Sequence, residues 1–225
     1  MSDAGSDNAL TRLQRLDTCA VSDALDQLGL HSAVSGIIPQ TVPGRICGPV
    51  TTVRLAAGPQ TGAARHLCTQ AIDTSAAGTV IVVEQRTGID AAGWGGILSN
   101  AAAHRGIAGA IIEGPGRDID EAADLGFSVF ARSTTARTAR GRVHEAETGG
   151  PITVGDVSVN TGDFVIADRS AVTFIPAAEI ERVLDAAEAI AAREAQMTKA
   201  VLGGEPVSTV MGSKYERMLL GSGGE

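Results

Sequence analysis

Apolar residues recur along this chain in two rhythms. Near the N-terminus Leu10, Leu13, Leu16, Val21, Ala24, Leu25 and Leu28 fall at helical spacing. They predict two short helices, with Ser22 as a candidate cap for the second and Gly29 as its stop. "ICGPVTTVRLAA" reads as a strand entered through a Gly-Pro turn, and "HLCTQAID" as a short helix. "TVIVVEQ" and "IAGAIIEG" are β-branched runs of the kind buried on both faces of a sheet. Between them "WGGILSNAAAHRG" predicts a helix that starts at Gly95 and Gly96 and ends at Gly106. "RDIDEAADLG" predicts the next helix and "FSVFAR" the next strand. This alternation from 79 to 131 implies parallel pairing with helices on the faces. After Pro151 short alternating runs split by Gly-Asp turns predict antiparallel hairpins. From Pro176 a long helix runs to about Leu202, with Ile180, Val183, Leu184, Ala187, Ile190 and Ala191 as its apolar stripe. The sum is a layered α/β/α domain with a mixed, mainly parallel central sheet. One domain spans 1–205, and 206–225 reads as a C-terminal tail.

Composition narrows the classes. The chain has 225 residues, 44% of them apolar, enough for one sizeable core. Its net charge of −8 argues against nucleic acid or a membrane surface as a partner, since both call for a basic field. Cys19, Cys47 and Cys68 are odd in number and widely spaced, which predicts buried thiols in a reducing compartment. The polar, acidic N-terminus does not resemble a secretion signal, and no apolar run could span a bilayer, so a cytoplasmic protein is expected. Lysine occurs only at 199 and 214, and the four histidines are scattered. Schiff-base chemistry and structural zinc are both disfavoured.

The stretch "IIEGPGRDIDEAADLG" carries the chemistry of interest. A turn at the carboxyl end of a parallel strand is where open α/β folds place ligands. Gly114 and Gly116 permit close approach, and Arg117 offers a planar fork for a carboxylate or keto acid. Asp118 and Glu121, three apart, present oxygen donors suited to a hard cation such as Mg2+ or Mn2+. Acids in a first helical turn also complement the helix dipole with no chemistry at all. Gly95 and Gly96 open a helix whose free N–H groups suit an anion, although a tight packing turn beside Trp94 would look the same. Glu194 interrupts the apolar stripe of the long helix, where a carboxylate needs a partner or an outlet to water. Arg132, Arg137, Arg140 and Arg142, with His144, form a basic run that either steers an anion or is simply solvated.

Gly96, twenty intervening residues, then Arg117-Asp118-x-x-Glu121 resembles the motif of class II 4-hydroxy-4-methyl-2-oxoglutarate/4-carboxy-4-hydroxy-2-oxoadipate aldolases, a branch of the RraA-like family. "VSDALDQLG", "GRICGPVTTVRL", "AAHRGIAGAIIEGPGRD" and "GDVSVNTGDFVIAD" are similar too, so the resemblance covers roughly 15–205. It implies a swivelling-domain type fold in a homotrimer or hexamer. It also implies cleavage of a 4-hydroxy-2-oxo acid to pyruvate and a second carbonyl compound, with oxaloacetate decarboxylation through the same enolate. By resemblance Gly95, Gly96, Ile97 and Leu98 bind a substrate carboxylate through their amides. Arg117 binds the 2-oxo group, Asp118 ligates the divalent metal, and Glu121 orients water on it. Glu194 is implied to reach a neighbouring subunit's site. Family members that inhibit a ribonuclease without aldolase activity typically lack the acid at the position of Glu121, so a non-catalytic regulator of a protein partner is the alternative.

Overall fold

The computed structural model describes residues 3–41, 44–60 and 65–212, except for the side chains of 3–7. In chain order the elements begin with α1 (Asp3–Leu13), α2 (Thr18–Gln27), β1 (Ala33–Val34), β2 (Ile38–Pro39) and β3 (Ile46–Ala57). Next come α3 (Thr69–Thr74), β4 (Val80–Glu84), α4 (Gly96–His104), β5 (Gly109–Gly116), α5 (Ile119–Asp124) and β6 (Val129–Thr134). The remainder is β7 (Val143–Thr148), β8 (Ile152–Val154), β9 (Val157–Val159), β10 (Phe164–Ala167), β11 (Val172–Ile175), α6 (Ile180–Leu202) and α7 (Val207–Val210).

The main sheet runs β1-β11-β10-β3-β4-β5-β6-β2, with β7 added to β3. Its centre, β3 to β6, is parallel, and its flanks are antiparallel. This is the mixed α/β sheet the sequence predicts. Alternation along the strands shows how the layers close. Ile81 and Val83 of β4, with Val53 and Leu55 of β3, pack with α3, α4 and α5. Cys47, three steps before Val53 on the same face of β3, packs with α1, α2 and α6 through Phe164, Ile166 and Ile175. The other face, with Ile46, Val50, Val80 and Val82, is filled by the β8–β9 hairpin. The sheet therefore curls, carrying two helix groups outside and a β-branched core within.

Three local expectations differ. The cap of α2 is Asp17, whose side chain accepts from the Ala20 amide at 2.9 Å, while Ser22 lies inside the helix. Gly29, at φ +72°, does end it. Gly48-Pro49 is strand, not turn: Gly48 pairs with Val165 and Pro49 with Phe164. Proline is tolerated because β3 exchanges neighbours there, pairing with β4 from Val50 onward. A Cβ on Gly48 would lie 2.1 Å from the Gly78 carbonyl oxygen, so close backbone approach explains that glycine. Cys47 and Cys68 are buried, but Cys19 is exposed. Burial lifts the Cys47 thiol to about 11, as expected of an inert side chain. Part of the expected tail is ordered as α7, and the rest, 213–225, lies outside the described residues. Among the described residues no helix is long and apolar enough to cross a membrane.

Candidate active site

The site begins with a buried glutamine. Gln85 follows β4 and is 4% exposed, too costly for an amide without partners. Its Nε2 donates to the Ile89 and Ala91 carbonyls at 2.9 and 2.6 Å, and its Oε1 accepts from the Thr87 amide and hydroxyl. The loop after β4 is thereby fixed. It then runs alongside the end of β5: the Gly93 amide donates to the Pro115 carbonyl at 2.8 Å, and Arg117 N to Trp94 O at 3.1 Å. Trp94 is fully buried, stacked on Phe127 at 6.1 Å, and donates from Nε1 to Ser99 Oγ at 2.9 Å. These bonds set Gly95–Gly96 beside Arg117–Asp118.

Asp118 stands before α5, not within it, at φ 55°, ψ 42°. A left-handed aspartate is tolerated at a cost of roughly 1–2 kcal/mol. The twist aims its carboxylate back at α4, where Oδ2 accepts from the Gly96 amide at 2.9 Å and from Arg117 Nε at 3.0 Å. The Gly96 amide, helped by Arg117 and opposed by partial burial, holds the Asp118 carboxyl below its ordinary range. It is an ionised acceptor at neutral pH. Glu121 accepts from Asn100 Nδ2 at 2.7 Å, one turn along from Gly96. A Cβ on Gly96 would sit 1.9 Å from Glu121 Oε2, so the glycine makes room for this carboxylate. The amides of Gly96, Ile97 and Leu98 are first-turn donors without intrahelical acceptors. That of Gly96 is engaged by Asp118, which leaves Ile97 and Leu98 for a ligand.

Around these groups lies a cleft of about 150 Å3, lined by Gly95, Gly96, Ile97, Leu98, Arg117 and Asp118 on one side. The opposite side is His66–Leu67 and Thr138–Arg140. The structure thus brings Gly95, Gly96, Ile97, Leu98, Arg117 and Asp118 together on the cleft, sets Glu121 behind Gly96 and off the cleft lining, and leaves Glu194 in a groove between α6 and α7. Burial and the charges of Asp23 and Asp17 raise the Glu194 carboxyl above its ordinary value. The arginine run does not act as one cluster. Arg132 pairs with Glu113 at 2.9 Å, Arg137 with Asp90 at 3.4 Å, and Arg142 donates to the Thr138 carbonyl, while Arg140 lines the cleft. His66 and Asn100 are missed by the sequence reading. Asn100 had a signal, standing four residues after Gly96 on the same helical face. His66 had none.

The cleft presents one carboxylate, Asp118, to a cation. Among the described residues no group of three or more His, Cys, Asp or Glu side chains could hold a metal ion. Zinc or calcium would need such a group, whereas Mg2+ is commonly held by one or two carboxylates with water and substrate completing the shell. Asp118, ionised and facing the cleft, fits that second pattern.

Comparison with known proteins follows the same line. The Aldolase/RraA model of the RraA-like family matches residues 18–174. A Halalkalibacterium halodurans protein named "Putative 4-hydroxy-4-methyl-2-oxoglutarate aldolase" is 31% identical over 183 residues, covering 80% of this chain and 81% of its own. Protein DlpA of Legionella pneumophila is 28% identical over 197 residues, which is 88% of this chain but 32% of DlpA, so the chain spans about a third of that protein. Among solved structures, an uncharacterized Pseudomonas syringae protein matches with TM-score 0.83 at 26% identity, over 92% of this chain and 98% of its own. Streptomyces coelicolor RraAS2, described as an unusual member of the RNase ES inhibitor RraA protein family, matches in fold, with TM-score 0.78 at 21% identity over 85% and 97% of the two chains. With its glycine-opened helix facing Arg117-Asp118 and most of its length matched by the family model, the chain belongs to the RraA-like family.

Proposed function

We propose that this protein is a divalent-metal-dependent aldolase that cleaves a 4-hydroxy-2-oxo acid of the 4-hydroxy-4-methyl-2-oxoglutarate type to pyruvate and a second carbonyl compound. Oxaloacetate decarboxylation is a second reaction through the same enolate. The observation that carries this is Asp118, strained into the left-handed region so that its ionised carboxylate faces the cleft between Arg117 and the start of α4. Helix-dipole compensation alone would not require that strain.

Each residue then has a task. The free amides of Ile97 and Leu98 receive the C1 carboxylate. Arg117, which lines the cleft, spends Nε on Asp118, and its remaining nitrogens are assigned to the 2-oxo oxygen. Asp118 holds the cation, an Mg2+ or Mn2+ ion that, when bound, supplies Lewis-acid stabilisation of negative charge on the 2-oxo oxygen. As the C3–C4 bond breaks, the 4-hydroxyl loses its proton and becomes a carbonyl, and the bond's electron pair passes into the C2–C3 enolate. Arg117 stabilises that charge in place. A proton delivered to C3 completes pyruvate. Glu121, steadied by Asn100 and packed against Gly96, is the carboxylate assigned to proton handling from beside the cleft. Glu194 cannot join this site within one chain's cleft, so its part belongs to an assembly, a homotrimer or hexamer, in which α6 meets a neighbour. The rival class is a non-catalytic regulator that binds a ribonuclease. Glu121 and the room Gly96 makes for it favour the enzyme.

The test is pyruvate release from 4-hydroxy-4-methyl-2-oxoglutarate with Mg2+ and with excess EDTA. Release that stops on chelation is expected. Release unaffected by chelator would overturn metal dependence, and no release at all would overturn the aldolase.

A further inference from the structure

A substrate of this type, anchored at Arg117, extends toward the opposite side of the cleft, where His66, Leu67 and Thr138–Arg140 stand. A second chamber of about 360 Å3 shares His66, Leu67, Thr138, Ala139 and Arg140 with the cleft as a common wall. A substrate longer than pyruvate, anchored at Arg117, meets this wall.

Two features of the wall stand out. Arg140 pairs with no carboxylate among the described residues, unlike its neighbours Arg132 and Arg137. Its turn is nonetheless held firmly. The Ala92 amide donates to the Arg137 carbonyl at 3.0 Å, and the Arg142 and Val143 amides return to Ala139 at 2.8 and 2.9 Å. The facing segment is held by strain. Cys68 is buried at φ 65°, ψ −6°, and its amide donates to Glu145 Oε2 at 2.6 Å. Besides Cys68, only Asp118 has a positive φ among the described non-glycine residues, and it is the proposed metal ligand. The bend at Cys68 turns His66 and Leu67 into the cleft, with His66 Nδ1 at 3.1 Å from the Leu67 carbonyl and Nε2 left for a ligand.

We propose that Arg140, supported by His66, is the specificity-determining cation of this site and binds a second acidic group at the far end of the 2-oxo acid. This rests on the 2-oxo acid reading of the cleft and adds to it the residue that reads the distal carboxylate. An acid with a carboxylate beyond C3 is then selected over its neutral-ended counterpart.

The experiment compares calorimetric binding of 2-oxoglutarate and 2-oxopentanoate, which differ only in a terminal carboxylate against a methyl, to the full chain with Mg2+. Wild type is expected to favour 2-oxoglutarate at least about tenfold, the scale of a charge-assisted bidentate pair. Arg140→Met should bring the ratio of affinities close to one. Arg140→Lys, which keeps the charge without the fork, should retain part of the preference, and His66→Gln should lower it less than the methionine change. Arg140 is exposed and its turn rests on backbone bonds, so the variants keep the fold. Equal affinities in wild type, or a preference that survives Arg140→Met, would overturn the assignment. So would equal weakening of both acids in Arg140→Met, the mark of general charge steering. Pyruvate release by wild type is measured in parallel. If it persists while the preference is absent, the distal assignment fails alone; if it is absent while the preference obeys Arg140, the aldolase fails alone.

Discussion

Gly96→Ala is the sharpest way to separate catalysis from packing. The added methyl carbon would lie 1.9 Å from Glu121 Oε2 and 2.5 Å from its Cδ. Ordinary contact begins near 3.4 Å, so the carboxylate must retreat by about 1.5 Å. That retreat breaks the 2.7 Å bond from Asn100. Two stability effects then oppose each other. Alanine in a helix is favoured over glycine by about 1 kcal/mol, and loss of one hydrogen bond costs about 0.5–1.5 kcal/mol. The net is within about 1 kcal/mol, a shift in Tm of roughly 2–4 °C for a chain of this size. Activity should respond far more, because misplacing a catalytic group by about 1 Å can cost on the order of 100-fold. The assay is pyruvate release at saturating Mg2+ beside a thermal melt of the same preparation. A kcat within threefold of wild type, with Tm nearly unchanged, would refute the placement of Glu121 in the chemistry.

Further expectations follow from the same geometry. Glu121→Gln should lower kcat by about 10²–10⁴-fold while costing only about 0.3–1 kcal/mol of stability, read from kcat and Tm in one variant. The Glu194 carboxyl is raised in the folded state, so ionising it opposes folding at neutral pH. Glu194→Gln should therefore raise Tm at pH 7, a gain that disappears as the pH falls below the ordinary carboxylate range near 4; a variant no more stable at pH 7 would contradict this. Asp118 has the opposite sign. Its contribution is present above about pH 4 and lost as pH falls through its depressed value, so Asp118→Asn should narrow its stability deficit on acidification. In solution a trimer or hexamer is expected by light scattering at micromolar concentration, and a monomer would demote Glu194 to a local role.

What the sequence made legible depended on how local each signal was. The β-branched runs of β4 and β5 and the glycine-bounded α4 are written in consecutive residues, and their parallel pairing follows from the short helical crossovers. The spacing from Gly96 to Arg117, Asp118 and Glu121 held because two adjacent strand ends deliver both segments to one place. Local competition defeated the cap of α2: Asp17 and Ser22 are both capping residue types, and only the chain path separates them. Gly48-Pro49 reads as a turn by composition, but the exchange of sheet neighbours that admits proline is a tertiary fact. His66 was beyond reach because the left-handed turn at Cys68 depends on Glu145, 77 positions away along the chain.

The central claim, that Asp118 and a divalent cation stabilise a pyruvate enolate in this cleft, is tested most directly by proton exchange. Pyruvate in D2O loses its methyl proton signal as the enolate forms and is reprotonated, with no need of the second product. The prediction is rapid exchange with wild type and Mg2+, falling to the uncatalysed rate with EDTA or in Asp118→Ala. Exchange that proceeds equally with chelator, or equally in Asp118→Ala, would contradict it.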